Sequence, residues 1–366
     1  MDPLAEVEVG NTGLRISRLG LGSGALGNLF APVPDEEARW VVERALACGI
    51  RYFDTAPVYG MGLAEQRVGR VLSRKSREEF VISTKVGRLL REDAPPDEDL
   101  FHNGEPFFKD TPQVNPVWDF SYEGTYASLA ESLDRLSLAA VDIVYVHEPP
   151  RQHLETAIEH AHRALVDLRR EGTIRAIGVG WDDTRGMARF VAETDCDCVL
   201  LAGRYTLLNQ SALEELLPLC VERGASVVVG GVFNSGIGVD PCRGAKYDYI
   251  PATPEMLTRA RCIEEVCARF GVQLKAAALW FPFGHPAVAS VLVGARSVTE
   301  LEENLVLLMN PIPSELWSEL RRLGLLDERA PLPTSREAAR GDGARQPIAS
   351  FGIGHEGADH EGALRS

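Results

Sequence analysis

Short apolar runs rich in Val, Ile and Leu alternate along this chain with longer stretches whose apolar positions recur at helical spacing. A hairpin comes first, VEV and LRI around Gly10-Asn11-Thr12-Gly13. RLGLGS then leads through a loop to a helix from about Asp35, where acidic residues suit a helix N-terminus. RYFDT, FVISTK, DIVYVH, IRAIGVG, CDCVLLA, ASVVVGG and ASVLVGA read as further strands. Between and after them AEQRVGRVL, EGTYASLAESLDRL, LETAIEHAHRALVDLRREG, a segment from Asp183, SALEELLPLCVERG, PEMLTRARCIEEVCARFG and TELEENLVLL read as helices. Continuous β-branched runs such as VVV and IVYV fit strands buried on both faces. The alternation predicts an α/β chain, a closed (β/α)8 TIM barrel with an N-terminal β-hairpin. An open doubly wound sheet is the rival.

Residues 1–330 read as a single barrel domain, and two segments stand apart from the repeat. Residues 88–121, after the third strand, form a long loop with Phe101, Phe107, Phe108, Trp118 and Phe120 among prolines and acids. Such connections are functional lids or disordered, and the aromatics favour a lid or a partner surface. The tail 331–366 is rich in small and charged residues and reads as flexible and disordered. His355 and His360 within it are not expected to bind metal.

Charge and cysteine content narrow the setting. A net charge of −15 argues against nucleic acid or an anionic membrane as partner. Seven cysteines without a C-x-x-C pair fit reduced thiols in the cytoplasm. Cys196 and Cys198 are expected on one side of a strand, as core filler rather than zinc ligands. The start lacks the pattern of a signal peptide, and no apolar run approaches the ~20 residues of a membrane span. The expectation is a soluble cytoplasmic protein without a metal.

Gly22, Gly24 and Gly27 spell G-x-G-x-x-G after a strand. In a dinucleotide fingerprint these glycines open a helix, and Pro32 and Pro34 in NLFAPVPDE prevent that here. The fingerprint is rejected.

Chemistry gathers where strands end. Asp54 and Tyr59 follow RYF, Lys85 closes VISTK and His147 closes DIVYV, each before Gly or Pro. In a parallel barrel the C-terminal strand ends share one mouth, where such folds do chemistry. Taken singly, a Tyr before Gly is packing, an Asp-Thr pair is a cap and a buried His is satisfied structure. Together, in barrel order, they point to catalysis. His285 reads as structural, and His153, His160 and His162 as solvent-facing on a helix.

At these residues the chain resembles the aldo-keto reductases: FDTAPVYGMGLAEQRVG, STKVG and DIVYVHEP look like that family from about residue 8 to 325. LLAGRYTLLNQ, VVVGGVFNSGI and FPFGHPAVASVLVGARS resemble one branch, the D-threo-aldose 1-dehydrogenases acting on L-fucose, D-arabinose and similar sugars, with pyridoxal 4-dehydrogenases. The resemblance implies a hydride carrier, NAD or NADP. An unperturbed phenol titrates near ~10. The expectation is that Lys85 lowers the Tyr59 pKa, Asp54 holds Lys85, and His147 hydrogen-bonds the substrate oxygen.

The resemblance further implies nucleotide contacts at Gly22, Asp182, Tyr205, Gly231, Phe233, Asn234, Ser235, Gly236 and Gly294, and at Ala295, Arg296, Ser297, Glu303 and Asn304. The segment at Gly294–Ser297 leads to a helix N-terminus, a ready anion site. Gly294 and Glu300 stand where NADP-dependent relatives often carry a base, which favours NAD, with Arg296 leaving NADP open. There are departures: Gly180-Trp181-Asp182 replaces a Ser-Asn pair, and Ala202 replaces a Gln. Glu148 suits a polyhydroxylated substrate. Trp118 either stacks on the sugar ring or fills the core. The alternatives left open are pyridoxal or general aldehyde chemistry, and a nucleotide-binding sensor subunit. The partner is a small molecule; substrate, direction and oligomeric state are not fixed.

Overall fold

Residues 2–334 are described by the computed structural model of the chain. The tail expectation falls, from residue 335 onward, outside the described residues, as do His355 and His360. Eight strands form the barrel: β1 Leu19–Gly22, β2 Tyr52–Asp54, β3 Val81–Val86, β4 Ile143–His147, β5 Ala176–Trp181, β6 Cys198–Ala202, β7 Ser226–Gly230 and β8 Val288–Val293. Each pairs in parallel with the next, and β8 returns to β1, so no edge is left open. Helices follow the strands: α1 Asp35–Ala47, α2 Leu63–Leu72, α3 Tyr122–Leu136, α4 His162–Arg170, α5 Thr184–Glu193, α6 Leu216–Arg223, α7 Pro254–Arg269, α8 Leu274–Trp280, α9 Val298–Met309 and α10 Ser314–Arg322.

Local chemistry sets where these helices start. Ser121 Oγ accepts from Gly124 N at the head of α3, and Asp183 accepts from Arg185 and Gly186 at the head of α5. Thr253 caps α7, and Pro254 follows where its missing N–H costs nothing.

Alternation along the strands sorts the apolar side chains into two layers. One set, including Val86, Val144, Val146, Val227 and Val229, packs outward under the helices. The other, Tyr52, Ile143, Tyr145, Cys198, Leu200, Val228 and Leu292, fills the interior. The hairpin Glu6–Glu8 with Arg15–Ser17 adds Val9, Leu14 and Ile16 to that interior set and stops the barrel at its strand-start end. The opposite end is left for the site.

Several details differ from the sequence reading. Residues 88–121 are not a bare loop but an arm in which Arg88–Arg91 pairs with Asn115–Trp118 and Phe101–His102 with Glu105–Pro106, both antiparallel. The helix ahead of α4 contains a π-helical turn at Ala157–Ala161. The α8 segment LKAAALW is buried almost all round, so it has no polar face to betray a helical period. The α10 helix was not anticipated either. Cys196 and Cys198 do not share a side: Cys196 precedes β6 and lies in the outer layer, whereas Cys198 lies inside. His162 is partly buried and pairs with Asp195 rather than facing solvent.

Candidate active site

Strand parity places the polar groups. Tyr52 and Asp54 in β2, Ser83 and Lys85 in β3, and Tyr145 and His147 in β4 each lie two residues apart, so each pair shares a face. Pairing sets Asp54 opposite Ser83, Lys85 opposite Tyr145 and His147 opposite Gly180. The deeper member of each pair fills the barrel and the upper member reaches the mouth.

Lys85 Nζ donates to Asp54 Oδ2 at 2.7 Å and to the Thr55 carbonyl at 2.9 Å. Ser83 Oγ donates to Asp54 Oδ1 at 2.7 Å. Beneath it Tyr52 Oη lies 3.1 Å from Ser83 Oγ and 3.0 Å from Tyr145 Oη, and the Cys198 thiol donates to Tyr145 Oη at 3.8 Å. Every hydroxyl in this buried chain has a partner, which a low-dielectric interior requires.

Tyr59 comes from the turn after β2. Its ring centroid is 4.6 Å from Lys85 Nζ and 6.0 Å from the His147 ring, which it meets edge-on. Gly27 lets the chain pass against it: a Cβ there would stand 2.7 Å from the Tyr59 carbonyl carbon and 2.8 Å from Gly60 N. The glycine of the rejected fingerprint thus seats Tyr59. Phe108 of the arm packs 6.2 Å from the Tyr59 ring.

Burial dominates the electrostatics. It raises the Asp54 carboxyl against the opposing pull of Lys85 and Ser83. It drives the His147 imidazole well below its usual value, helped by Arg88 and Lys85, so the ring is neutral. Its Nδ1 is buried without a partner. Burial also pushes the Tyr59 phenol well above the usual value, with Asp54 and Glu148 adding to the effect and Arg88 opposing it. This corrects the expectation that Lys85 acidifies the phenol. The ammonium is matched by Asp54 at hydrogen-bond distance, so little net positive charge is left to stabilise a phenolate.

The expected nucleotide residues fall into three groups. Gly22 and Gly294 meet at the mouth, where a Cβ on Gly294 would stand 3.8 Å from the Gly22 carbonyl oxygen. Gly231, Asn234, Ser235 and Gly236 follow β7 with positive φ, and Asn234 Oδ1 is buried without a partner. The Phe233 ring lies 5.9 Å from Lys275 Nζ. After β8, Ala295 is buried, Ser297 caps α9, Glu303 pairs with Lys275 at 2.5 Å, and Asn304 is buried with Oδ1 unpartnered. The α9 N-terminus is not an open anion site, since Glu37 Oε1 accepts from Val298 N at 3.1 Å.

Three of the expected contact residues are already engaged within the protein. Tyr205 does not face the mouth: it is fully buried against Phe281 and His285, with ring centroids at 5.1 and 5.5 Å. Asp182 is already held by Arg204 at 2.6 Å. Trp118 packs within the protein: the Arg88 guanidinium lies 3.9 Å over its ring and Phe120 stacks at 5.7 Å. Phe108, named in the sequence only among the aromatics of the 88–121 segment, lines this region, and Arg88 and Tyr249 do so without having been singled out. Arg88 had a signal, three residues beyond Lys85 and just past the end of β3.

A closed parallel barrel with acid, base and ammonium groups converging at the strand C-termini is the layout of a barrel enzyme. The chain belongs to the aldo/keto reductase family, whose match spans residues 18–324. It is 41% identical to the D-threo-aldose 1-dehydrogenase of a Pseudomonas species, over 86% of this chain and 96% of that protein. It is 40% identical to the pyridoxal 4-dehydrogenase of Microbacterium luteolum, over 87% and 97%. Among solved structures, a glycerol dehydrogenase from Gluconobacter oxydans matches with a TM-score of 0.70 at 22% identity, covering 92% of this chain and 99% of that one. That last likeness concerns the fold. The protein is therefore an oxidoreductase acting on small carbonyl compounds, and the family implies a nicotinamide nucleotide as hydride carrier. Among the described residues no helix is long and apolar enough to cross a membrane.

Proposed function

We propose that the enzyme oxidises a cyclic aldose of the L-fucose or D-arabinose type at C1 to the lactone, with NAD as the preferred carrier. The observation that carries this reading is the grouping of Tyr59, Lys85, Asp54 and His147 at one mouth, in a chain 41% identical to an aldose 1-dehydrogenase.

The residues present fit a bound nucleotide. Gly22, Gly231, Gly236 and Gly294 keep the rim free of side chains, and the unpartnered oxygens of Asn234 and Asn304 can accept from ligand N–H or O–H groups. Asn304 with Glu303 would hold the adenine, and Gly294 to Ser297 would lie along the adenosine ribose. A nicotinamide held there would supply the hydride acceptor for C1.

The protein groups supply the proton chemistry. In oxidation the small phenolate fraction that the raised phenol leaves takes the proton of the anomeric hydroxyl, so this direction should gain rate toward alkaline pH. In reduction the neutral phenol donates to the carbonyl oxygen. His147, uncharged, offers one ring N–H to that oxygen and fixes where it sits. Lys85 and Asp54 act on the reaction through Tyr59, holding the ring edge of the site in place.

The NAD preference rests on carboxylates. Arg296, the one base in the 294–297 segment, is bound by Glu300 through both its backbone N and its guanidinium, each at 2.9 Å. With Glu37 on the first amide of α9, a 2′-phosphate there would meet two carboxylates.

Nucleotide reduction measured with L-fucose, D-arabinose and pyridoxal, each with NAD and with NADP, tests the reading. The expected result is aldose oxidation, faster with NAD. Turnover of pyridoxal with none of either sugar would overturn it.

A further inference from the structure

We infer that Arg88 and Glu148 form a donor–acceptor pair that reads the hydroxyl on the carbon next to the reacting one, which makes Arg88 a specificity-determining residue. The inference rests on the aldose reading above and deepens it to a substrate class: neutral compounds hydroxylated beside the carbonyl or lactol carbon.

Arg88 is in an unusual position for a cation. Its side chain is only 6% exposed, it makes one ion pair, Nη2 to Glu148 Oε2 at 2.7 Å, and its Nε is buried without a partner. Five N–H donors with so few acceptors make a costly arrangement unless a ligand completes it. The guanidinium plane is fixed by Trp118, 3.9 Å below, so its remaining donors point in set directions rather than following solvent. Trp118, the aromatic expected to touch sugar, instead serves as the platform for Arg88.

Glu148 links this cation to the reacting centre. Its Oε2 is 3.9 Å from His147 Nε2, and its side chain is 38% exposed, so the carboxylate remains reachable. The residue holds a left-handed φ of 44°, uncommon outside glycine, and its N–H donates to the Gly180 carbonyl at 2.8 Å. Strain of this kind, kept where a side chain must be aimed, is a mark of function.

The chemistry of the pair selects its ligand. A hydroxyl can accept from Arg88 and donate to Glu148 at once, satisfying both. An anionic group would gain from Arg88 what it lost to Glu148, and an apolar group would leave both charges desolvated. A hydroxyl one bond from the carbon whose oxygen meets His147 falls beside the carboxylate 3.9 Å away.

The test compares kcat/KM for an aldopyranose and its 2-deoxy analogue, with reduction of a simple aliphatic aldehyde as reference, in wild type, Arg88→Gln and Glu148→Gln. Wild type should favour the hydroxylated sugar by about tenfold or more, as sites built to bond a hydroxyl do. Both variants should bring that ratio near unity, through KM more than kcat; the aldehyde rate, which each charge change can also move through Tyr59 and His147, serves only to show that the site still turns over. Two variants on different strand ends guard against loss of fold in one. If wild type separates the sugars and both variants keep its ratio, the inference about the pair is overturned and the aldose reading stands. If wild type reduces the aldehyde but oxidises neither sugar, the aldose reading is overturned and the pair's role with it.

Discussion

Lys85 and Asp54 are a buried ion pair, 2.7 Å apart, side chains 1% and 3% exposed, lodged where β2 and β3 reach the mouth. The ammonium is thereby committed to a carboxylate before it acts on Tyr59, 4.6 Å away. Breaking such a pair from one side leaves a bare charge in a low-dielectric interior. Asp54→Asn should therefore lower stability by about 3–5 kcal/mol, read from urea unfolding. Loss of less than about 1 kcal/mol would mean that Lys85 finds water or another partner, and that the pair does not fix the site.

The raised phenol sets a pH signature for reduction. Tyr59 donates as neutral phenol, and burial keeps it neutral beyond the ordinary value near ~10. With reduced nucleotide saturating, kcat/KM for an aldehyde should stay level from neutral pH up to about 9 and fall only above the ordinary phenol value. A fall centred near pH 8 that disappears in a Tyr59 variant would show an acidified phenol after all.

His147 gives a second signature, in stability. Its folded pKa lies below its unfolded value, so between the two the unfolded chain binds a proton that the folded chain does not. Stability from this residue is therefore lost as pH falls below about 6.5, and constant above it. His147→Gln should flatten the decline of unfolding free energy between about pH 6.5 and 5. An unchanged slope would contradict the buried neutral ring.

Gly27 is predicted to matter for catalysis although it carries no side chain. A methyl group there would collide with the Tyr59–Gly60 backbone, 2.7 to 2.8 Å away, and displace the phenol. Gly27→Ala should cost about 10- to 100-fold in kcat/KM and about 1–3 kcal/mol in stability. Full activity in that variant would place Tyr59 on a more pliant turn than the contacts imply.

The barrel was legible in the sequence because its strands are continuous β-branched runs and its helices, α2, α3 and α5 among them, carry one apolar face. The α8 helix was not, because burial on all sides erases the period. Asp54, Lys85 and His147 were legible as polar residues closing apolar strands, a breach of pattern that packing does not explain. The direction of the Tyr59 pKa was not, since it depends first on how deeply the fold buries the phenol and then on which carboxylates face it. Tyr205 misled because a tyrosine beyond a strand end can point to the mouth or under the helices, and only the packing of Phe281 and His285 decides. Arg88, and the part Trp118 plays beneath it, escaped for a similar reason: their stacking joins two strands of an arm that reads, residue by residue, as a loop.

The central claim is that Tyr59 moves the proton in the oxidation of an aldose. Tyr59→Phe keeps the ring against Lys85 and His147 and removes only the hydroxyl. NAD reduction with L-fucose should fall by about 10²- to 10⁴-fold, while NADH binding, followed by fluorescence, and thermal unfolding remain near wild type. A variant that oxidises the sugar within about threefold of the wild-type rate, far short of a general acid–base loss, would contradict the claim.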